Sequence, residues 1–184
     1  MWCWGLNTNG RLGDGTTTQR TSPVQVGVAT TWALVSAGTS HTCAARTDST
    51  LWCWGLNTNG RLGDGTTTQR TSPVQVGVAT TWALVSAGTS HTCATSVDGT
   101  LWCWGHNTSG QLGDGTLTER RTPVRIGTGT GWTAPSAGGA QSCALDAPGT
   151  LWCWGNPAYG NLGDGILRWV TTTIPLSGPS LWRY

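Results

Sequence analysis

The sequence is poor in charge and lacks one of the common charged residue types altogether. It has no lysine and a single glutamate, and its ten arginines are scattered along the chain, so the net charge is only +2. A protein that binds nucleic acid concentrates basic residues on one face or in one stretch. The weak, dispersed charge therefore argues against a nucleic-acid partner.

Long apolar stretches are also missing. No run of about 18 apolar residues occurs, so no membrane span is predicted. No charged and apolar leader follows Met1, so any signal peptide is expected to lie outside this chain. Phenylalanine is absent, whereas tryptophan occurs thirteen times, twelve of them at three fixed places in a repeated pattern. We therefore expect the tryptophans to form a repeated core.

The chain is built from repeats that begin 50 residues apart, since residues 2–44 recur letter for letter as residues 52–94. A third copy opens at Leu101 and a fourth at Leu151. A strict period of this length indicates units that are stable only when they stack on their neighbours. The sequence predicts one array over residues 1–184, divided into 1–50, 51–100, 101–150 and an incomplete last repeat, 151–184.

Four short β-rich runs occur in each repeat, separated by clusters of Gly, Thr, Asn and Asp. The first set of runs covers residues 23–27, 32–37, 40–45 and 50–55. A helix is hard to place, because Gly or Pro interrupts every window with a helical apolar period. Four strands are the content of a propeller blade. We predict an all-β protein of β-propeller blades, each with four antiparallel strands, about four blades in all.

A turn-forming segment, residues 7–15, follows the tryptophan-rich run and is dense in residues that adopt positive φ or bond their own backbone. An ordered turn is predicted, because a phosphate-binding loop would need a helix after it. Asn7, Asn9 and Asp14 could offer oxygens to calcium, but one carboxylate per repeat is too few for that cation. No metal and no cofactor are expected.

Seven cysteines alternate at intervals of 40 and 10 residues. Residues at the shorter interval would lie opposite one another in an antiparallel hairpin, within reach of a disulfide. The intervening loop is residues 47–49 in the first hairpin and 97–99 in the second, where Asp-Gly suits a three-residue turn that ends in the left-handed conformation. The predicted disulfides are Cys43–Cys53, Cys93–Cys103 and Cys143–Cys153.

Reduced thiols in the core are the main alternative to disulfides, and metal ligation is a weaker one. A site built from His41 and its neighbouring cysteines would not repeat, because Gln141 replaces the histidine in the third copy. Disulfides would place the protein outside the cell or on its surface. Cys3 stays unpaired, because its partner would lie upstream of the first strand.

The sequence resembles the regulator of chromosome condensation repeat family at several fixed positions. The resemblance rests on residues 54–65 (WGLNTNGRLGDG), Pro73, residues 85–88 (VSAG) and residues 91–94 (HTCA). It implies a propeller, commonly of about seven blades. We therefore expect an open arc of about four blades or a part of a seven-bladed propeller, with the missing strands supplied by flanking chain or by self-association.

Function does not follow from this resemblance, because family members differ in what they do. The pairing of His-Thr-Cys-Ala with Leu-Trp-Cys-Trp-Gly resembles the secreted bacterial members. No insertion resembles the wedge that acts on a small GTPase in the nuclear members, so guanine-nucleotide exchange is not expected. His41 and His91 share one repeat position, as structural residues do, and no catalytic constellation stands out. We expect a non-enzymatic, extracellular bacterial scaffold.

Candidate binding residues come from the long loop after residue 15 and from the places where the copies differ. Tyr, Trp and Arg are favoured at interface hot spots, so a protein partner is expected. Identical loops in the first two repeats would also suit a polysaccharide, and a purely structural spacer is a third hypothesis. The candidates are Arg20, Arg70, Arg120, Tyr159, Arg168 and Trp169.

Overall fold

The computed structural model describes residues 1–78, 81–165 and 170–175. They form fourteen strands and one short 3-10 helix. The strands are β1 (Trp2–Gly5), β2 (Arg20–Gln25), β3 (Trp32–Ala37), β4 (His41–Arg46), β5 (Leu51–Gly55), β6 (Arg70–Gln75), β7 (Trp82–Ala87), β8 (His91–Ser96), β9 (Leu101–Gly105), β10 (Arg120–Arg125), β11 (Thr133–Ala137), β12 (Gln141–Leu145), β13 (Leu151–Gly155) and β14 (Val170–Pro175), and the helix covers Ala158–Gly160.

Three four-stranded antiparallel sheets follow a two-stranded one. Their strand orders are β3-β4-β5-β6, β7-β8-β9-β10 and β11-β12-β13-β14, and the two-stranded sheet pairs β1 with β2. This confirms the predicted all-β fold with four-stranded antiparallel blades. Each four-stranded sheet combines the last two strands of one sequence repeat with the first two of the next, so the blade is offset from the sequence repeat by half its length.

Adjacent sheets pack side by side. Strand β7 contacts β3 and β4 of the preceding sheet, and β11 contacts β7 and β8. The first strand of each sheet is thus its inner edge, and β6 and β10 are outer edges. In the described part of the chain, no helix is long and apolar enough to cross a membrane.

The fourth strand of each blade differs from its prediction. It begins at Arg20 in the first copy, although the sequence predicted a start at Pro23. Proline cannot donate to a sheet, so within strands it is confined to edges, first positions and bulges. On an outer edge the missing N–H costs no ladder bond, and Pro23 and Pro73 therefore lie inside β2 and β6.

The core lies between sheets and is dominated by tryptophan. Trp54, Trp104 and Trp154 are fully buried. The Nε1 atom of Trp54 donates to the carbonyl of Arg11, in the preceding repeat, at 2.9 Å. Gly13 makes this approach possible, because a Cβ there would lie 2.6 Å from that Nε1. Burying 150–250 Å² of an indole contributes roughly 4–6 kcal/mol.

The structure contains the three disulfides that the cysteine spacing predicts. Cys43 faces Cys53 directly across β4 and β5, with Cα atoms 4.1 Å apart, and the other two pairs repeat this geometry. The expected left-handed turn residue is Ser49 in the first hairpin, with φ of 61°. Cys3 is a free thiol. Each disulfide closes a short loop. The entropy that this removes from the unfolded chain stabilises the fold by about 3 kcal/mol.

Candidate binding surface

The long loops at one end of the strands form a surface that we call the loop face, residues 6–19, 56–69, 106–119 and 156–165. The side chain of Asn7 organises the first loop. Its Nδ2 donates to Asp14 Oδ1 and to the carbonyls of Thr16 and Thr18, each at 3.1 Å. Its Oδ1 accepts the Leu12 N–H at 3.0 Å. The loop is therefore an ordered turn, and the oxygens considered for calcium serve internal hydrogen bonds.

The same network recurs in the next two loops, around Asn57 and Asn107, with nearly the same distances. All three asparagines are fully buried. The sequence analysis placed Asn7 in an ordered turn and weighed it as a metal ligand, but it did not identify Asn7 as the centre of the network. The signal was available, because an asparagine and an aspartate seven residues apart recur in three repeats.

The three arginines predicted to bind a ligand, Arg20, Arg70 and Arg120, are the first residues of β2, β6 and β10, next to the loop face, and form internal ion pairs. Arg20 Nε lies 2.7 Å from Asp14 Oδ2, and the Arg70–Asp64 and Arg120–Asp114 distances are 2.8 Å. Burial alone would raise the pKa of Asp14, but hydrogen bonds from Thr16, Arg20 and Asn7 outweigh it and lower the pKa to about 2. The guanidinium groups are about one-third exposed, and their contact with a ligand stays a prediction.

Hydrogen bonds between repeats join the loops into one surface. Asn59 Nδ2 donates to Glu119 Oε1 at 2.7 Å, and Asn9 bonds Gln69 in the same way one repeat earlier. Arg61, which the sequence analysis overlooked, is buried and donates to the Thr89 carbonyl at 2.7 Å. The loop face is thus braced from one repeat to the next.

The histidines at the shared repeat position lie between blades. Nε2 of His41 is 2.8 Å from Thr92 Oγ1, and Nε2 of His91 is 2.8 Å from Ser142 Oγ. Thr92 in turn donates to the carbonyl of Arg61, which also accepts from Trp104. Burial lowers the pKa of each imidazole to about 3, with nearby positive charge adding to the effect. Both rings are neutral parts of the core, as the repeat position suggested.

Two protein-family models match these repeats. The model described as "Regulator of chromosome condensation (RCC1) repeat" matches residues 1–45, 48–95 and 98–145. A second model with the same description matches residues 32–61 and 82–111. The chain belongs to the RCC1 repeat family. Among curated protein sequences, none matches the chain.

Solved structures show the same fold at low sequence identity. Human WBSCR16 is 23% identical over 97% of this chain and superposes with a TM-score of 0.84. Yeast RCC1 (Prp20), solved with Kap60, is 19% identical over 98% of this chain with a TM-score of 0.85. Prp20p from Saccharomyces cerevisiae is 21% identical over 96% with a TM-score of 0.79. The RCC1-repeat chain spans 48%, 45% and 46% of those chains respectively.

Several non-repeated residues of this RCC1-repeat chain lie on or next to the late part of the loop face. Tyr159 is 99% exposed and has a φ of 61°, in the left-handed region that non-glycine residues rarely adopt. Leu117 is also exposed. Val170 replaces the loop arginine in the fourth repeat and is buried. The predicted contacts Arg168 and Trp169 lie outside the described residues.

Proposed function

We propose that this chain is a non-enzymatic scaffold that binds a protein partner through the loop face. The observation that carries the proposal is Tyr159. A tyrosine that is 99% exposed with a positive φ gains nothing for the core and costs about 1 kcal/mol or more in backbone strain. Tyrosine supplies a large, rigid contact area, so it is favoured at the centre of protein interfaces.

Two solved relatives are described with protein partners, which agrees with this function. Yeast RCC1 was solved bound to Kap60, and Prp20p is described with its binding to Gsp1p and histones. Fold likeness does not transfer those partners to this chain. Catalysis is not proposed, because His41 and His91 are buried and the Asp14, Asp64 and Asp114 carboxylates are held by internal hydrogen bonds.

Substitution of Tyr159 tests the proposal. Immobilised wild-type chain and its Tyr159→Ala and Tyr159→Phe variants are exposed to proteins secreted by the source organism, and bound proteins are quantified. A partner should bind wild type and Tyr159→Phe and be lost with Tyr159→Ala, while the melting temperature stays the same. A glycan array probes the alternative ligand in parallel. A glycan without any protein would favour polysaccharide binding, and no ligand in either assay would favour a spacer.

An extracellular or cell-surface location, of the secreted bacterial type, belongs to the same proposal. Three disulfides support it, because reducing compartments rarely retain structural disulfides. Thiol labelling of protein isolated under denaturing, acid-quenched conditions should modify Cys3 alone. Labelling of all seven cysteines would contradict this location.

The open edge of β1 supports a further part of the proposal, which is completion by another strand. Among described residues β1 pairs only with β2, and Trp2 and Trp4 are largely exposed. A groove of about 390 Å³ lies between them and the turn at Gly38. We propose that flanking chain or a second copy supplies a strand here. Light scattering should show association of this chain, and a stable monomer would refute self-association.

A further inference from the structure

A second recess lies at the opposite end of the strands from the loop face, beside the turn between β8 and β9. Its volume is about 250 Å³. We call it the tryptophan pocket, and its argued residues are Trp82, Trp102, Ser96, Asp98 and Pro123. The predicted binding residues and Tyr159 lie elsewhere, so no role assigned above explains this pocket.

The walls of the tryptophan pocket are aromatic. The rings of Trp82 and Trp102 have centroids 6.2 Å apart and meet edge to face at 77°. Trp102 donates its Nε1 hydrogen to Thr100 Oγ1 at 2.8 Å. Trp82 is 6% exposed, and its buried Nε1 has no hydrogen-bond partner. Trp32 and Trp132, which hold the same position in the first and third repeats, also have a buried Nε1 without a hydrogen-bond partner, so this feature is common to the three repeats.

One carboxylate, that of Asp98, lines the pocket. Its Oδ1 accepts hydrogen bonds from Ser96 Oγ and from both the N–H and the hydroxyl of Thr100. These bonds lower the pKa of Asp98 to about 2, so the carboxylate is charged at neutral pH. All three bonds end on the same oxygen of the charged carboxylate, Oδ1. The pocket therefore combines two indole rings with a fixed negative charge.

The same position in the first repeat already holds a cation. Arg46 stands where Ser96 stands in the second repeat, and its guanidinium carbon lies 4.9 Å from the centroid of Trp32 and 4.0 Å from that of Trp52. Asp48 matches Asp98, and the charge of Arg46 adds to the Thr50 hydrogen bonds that lower the pKa of Asp48. One frame of two tryptophans and an aspartate thus accepts a guanidinium within the chain itself.

In the third repeat an aspartate stands at the position of the guanidinium. Asp146 takes the position of Arg46 and Ser96, and its Oδ2 accepts the Nε1 hydrogen of Trp152 at 2.9 Å. The centroids of Trp132 and Trp152 lie 5.6 Å apart. The three copies therefore differ in content: a guanidinium in the first repeat, an open recess in the second and an aspartate in the third.

We propose that the tryptophan pocket binds an arginine side chain of a partner protein. A guanidinium stacks on indole and pairs with a carboxylate in the same plane, which suits it to this pocket better than ammonium. Arg125 is the nearest competitor within the chain, since its charge also lowers the pKa of Asp98. Its Nη2 donates to the Thr128 carbonyl at 3.0 Å, so this guanidinium already has a hydrogen-bond partner within the chain.

Arg46 and Ser96 provide matched variants for the test. Ser96→Arg copies the first repeat into the second and should fill the pocket, whereas Arg46→Ser should open an equivalent pocket in the first repeat. The probe is the peptide acetyl-Gly-Arg-Gly-amide, with citrulline in place of arginine as the neutral control. Binding is followed by the NMR shifts of assigned indole N–H signals.

The expected result with wild-type chain is a saturable shift of Trp82 and Trp102 with arginine peptide. The citrulline peptide should bind about tenfold more weakly, which corresponds to about 1.4 kcal/mol of charge and stacking. Asp98→Asn should weaken binding at least about fivefold. Ser96→Arg should abolish the shifts, and Arg46→Ser should add a second set at Trp32 and Trp52.

Equal binding of arginine and citrulline peptides, or of arginine and lysine peptides, would overturn the proposal. If Ser96→Arg fails to fold, the Arg46→Ser and Asp98→Asn variants still test the proposal. Peptide-induced shifts equal to those of wild type in both variants would refute it. This inference goes beyond the loop-face function and is separable from it. Tyr159→Ala should leave peptide binding unchanged, so either proposal can fail while the other stands.

Discussion

Residues 2–44 and 52–94 have the same sequence but different surroundings. Trp54 is fully buried, whereas Trp4, its counterpart, is 62% exposed. Cys53 forms a disulfide, whereas Cys3 is a free thiol. In the loops that follow, however, the Asn7 and Asn57 networks have matching distances.

The difference teaches which features a repeat specifies alone and which it takes from its neighbour. The hydrogen bonds of Asn7 all end on residues 12–18 of the same loop. The loop therefore keeps its geometry although it follows β1, which lies at the open edge. Trp54 needs the Arg11 carbonyl of the preceding repeat and the β4 strand beside it. Stability in such an array is therefore a sum of local terms and interface terms, and paired substitutions can separate them.

Removal of the tryptophan should show the largest contrast. Trp54→Ala should lower the free energy of unfolding by about 3–5 kcal/mol, because it empties a buried indole site. Trp4→Ala should lower it by less than about 1 kcal/mol, because most of that ring is already in water. Urea denaturation followed by circular dichroism measures both. Equal losses would mean that Trp4 is covered in solution, as strand addition at the β1 edge would require.

The cysteines should give the second contrast. The double variant Cys43→Ala/Cys53→Ala should lose about 3 kcal/mol, because the denatured chain regains the entropy that the short closed loop removes. Cys3→Ala should be neutral within about 0.5 kcal/mol. Thermal melts of both variants, with and without reductant, provide the measurement. Reductant should leave the double variant less affected than wild type, and the opposite result would contradict a role for this disulfide.

Acid sensitivity should come third and should be similar in both copies, since both histidines are covered by the next blade. The folded-state pKa of His41 and His91 is about 3, below the value of about 6.5 in the unfolded chain. Between these values the unfolded chain binds protons that the folded chain does not, so stability falls as pH falls. From pH 7 to pH 5 the loss should be about 2 kcal/mol for each histidine.

Glutamine variants isolate this effect, because Gln141 occupies the same position in the third repeat. His41→Gln and His91→Gln should each reduce the pH dependence of unfolding between pH 7 and 5 by about half. Denaturation midpoints at several pH values measure it. The window avoids the aspartates, whose lowered pKa values affect stability only under more acidic conditions. An unchanged pH profile in both variants would show that the imidazoles are not buried neutral.

Much of the fold was predictable because it depends on local spacing. The cysteine interval predicted the hairpin register, and the tryptophan period predicted the core. The start of β2 was not predictable, because only the sheet shows that Pro23 lies on an outer edge. The tryptophan pocket was also out of reach. Arg46 and Ser96 look like an ordinary surface substitution until the rings of Trp32 and Trp52 are seen around the guanidinium.

The loop arginines should show the smallest effect and the closest agreement between copies. Arg20→Ala and Arg70→Ala should each lower the free energy of unfolding by no more than about 1 kcal/mol, because the ion pairs are partly exposed to solvent. Asp14 and Asp64 keep their hydrogen bonds from threonine and asparagine in these variants. Denaturation at low and high salt measures both, and a clear difference between copies would show that the loop depends on its neighbour. Equal, small losses would mean that these arginines are not needed for the fold. Their alanine variants could then be used to test ligand contact, because any loss of binding would not come from unfolding.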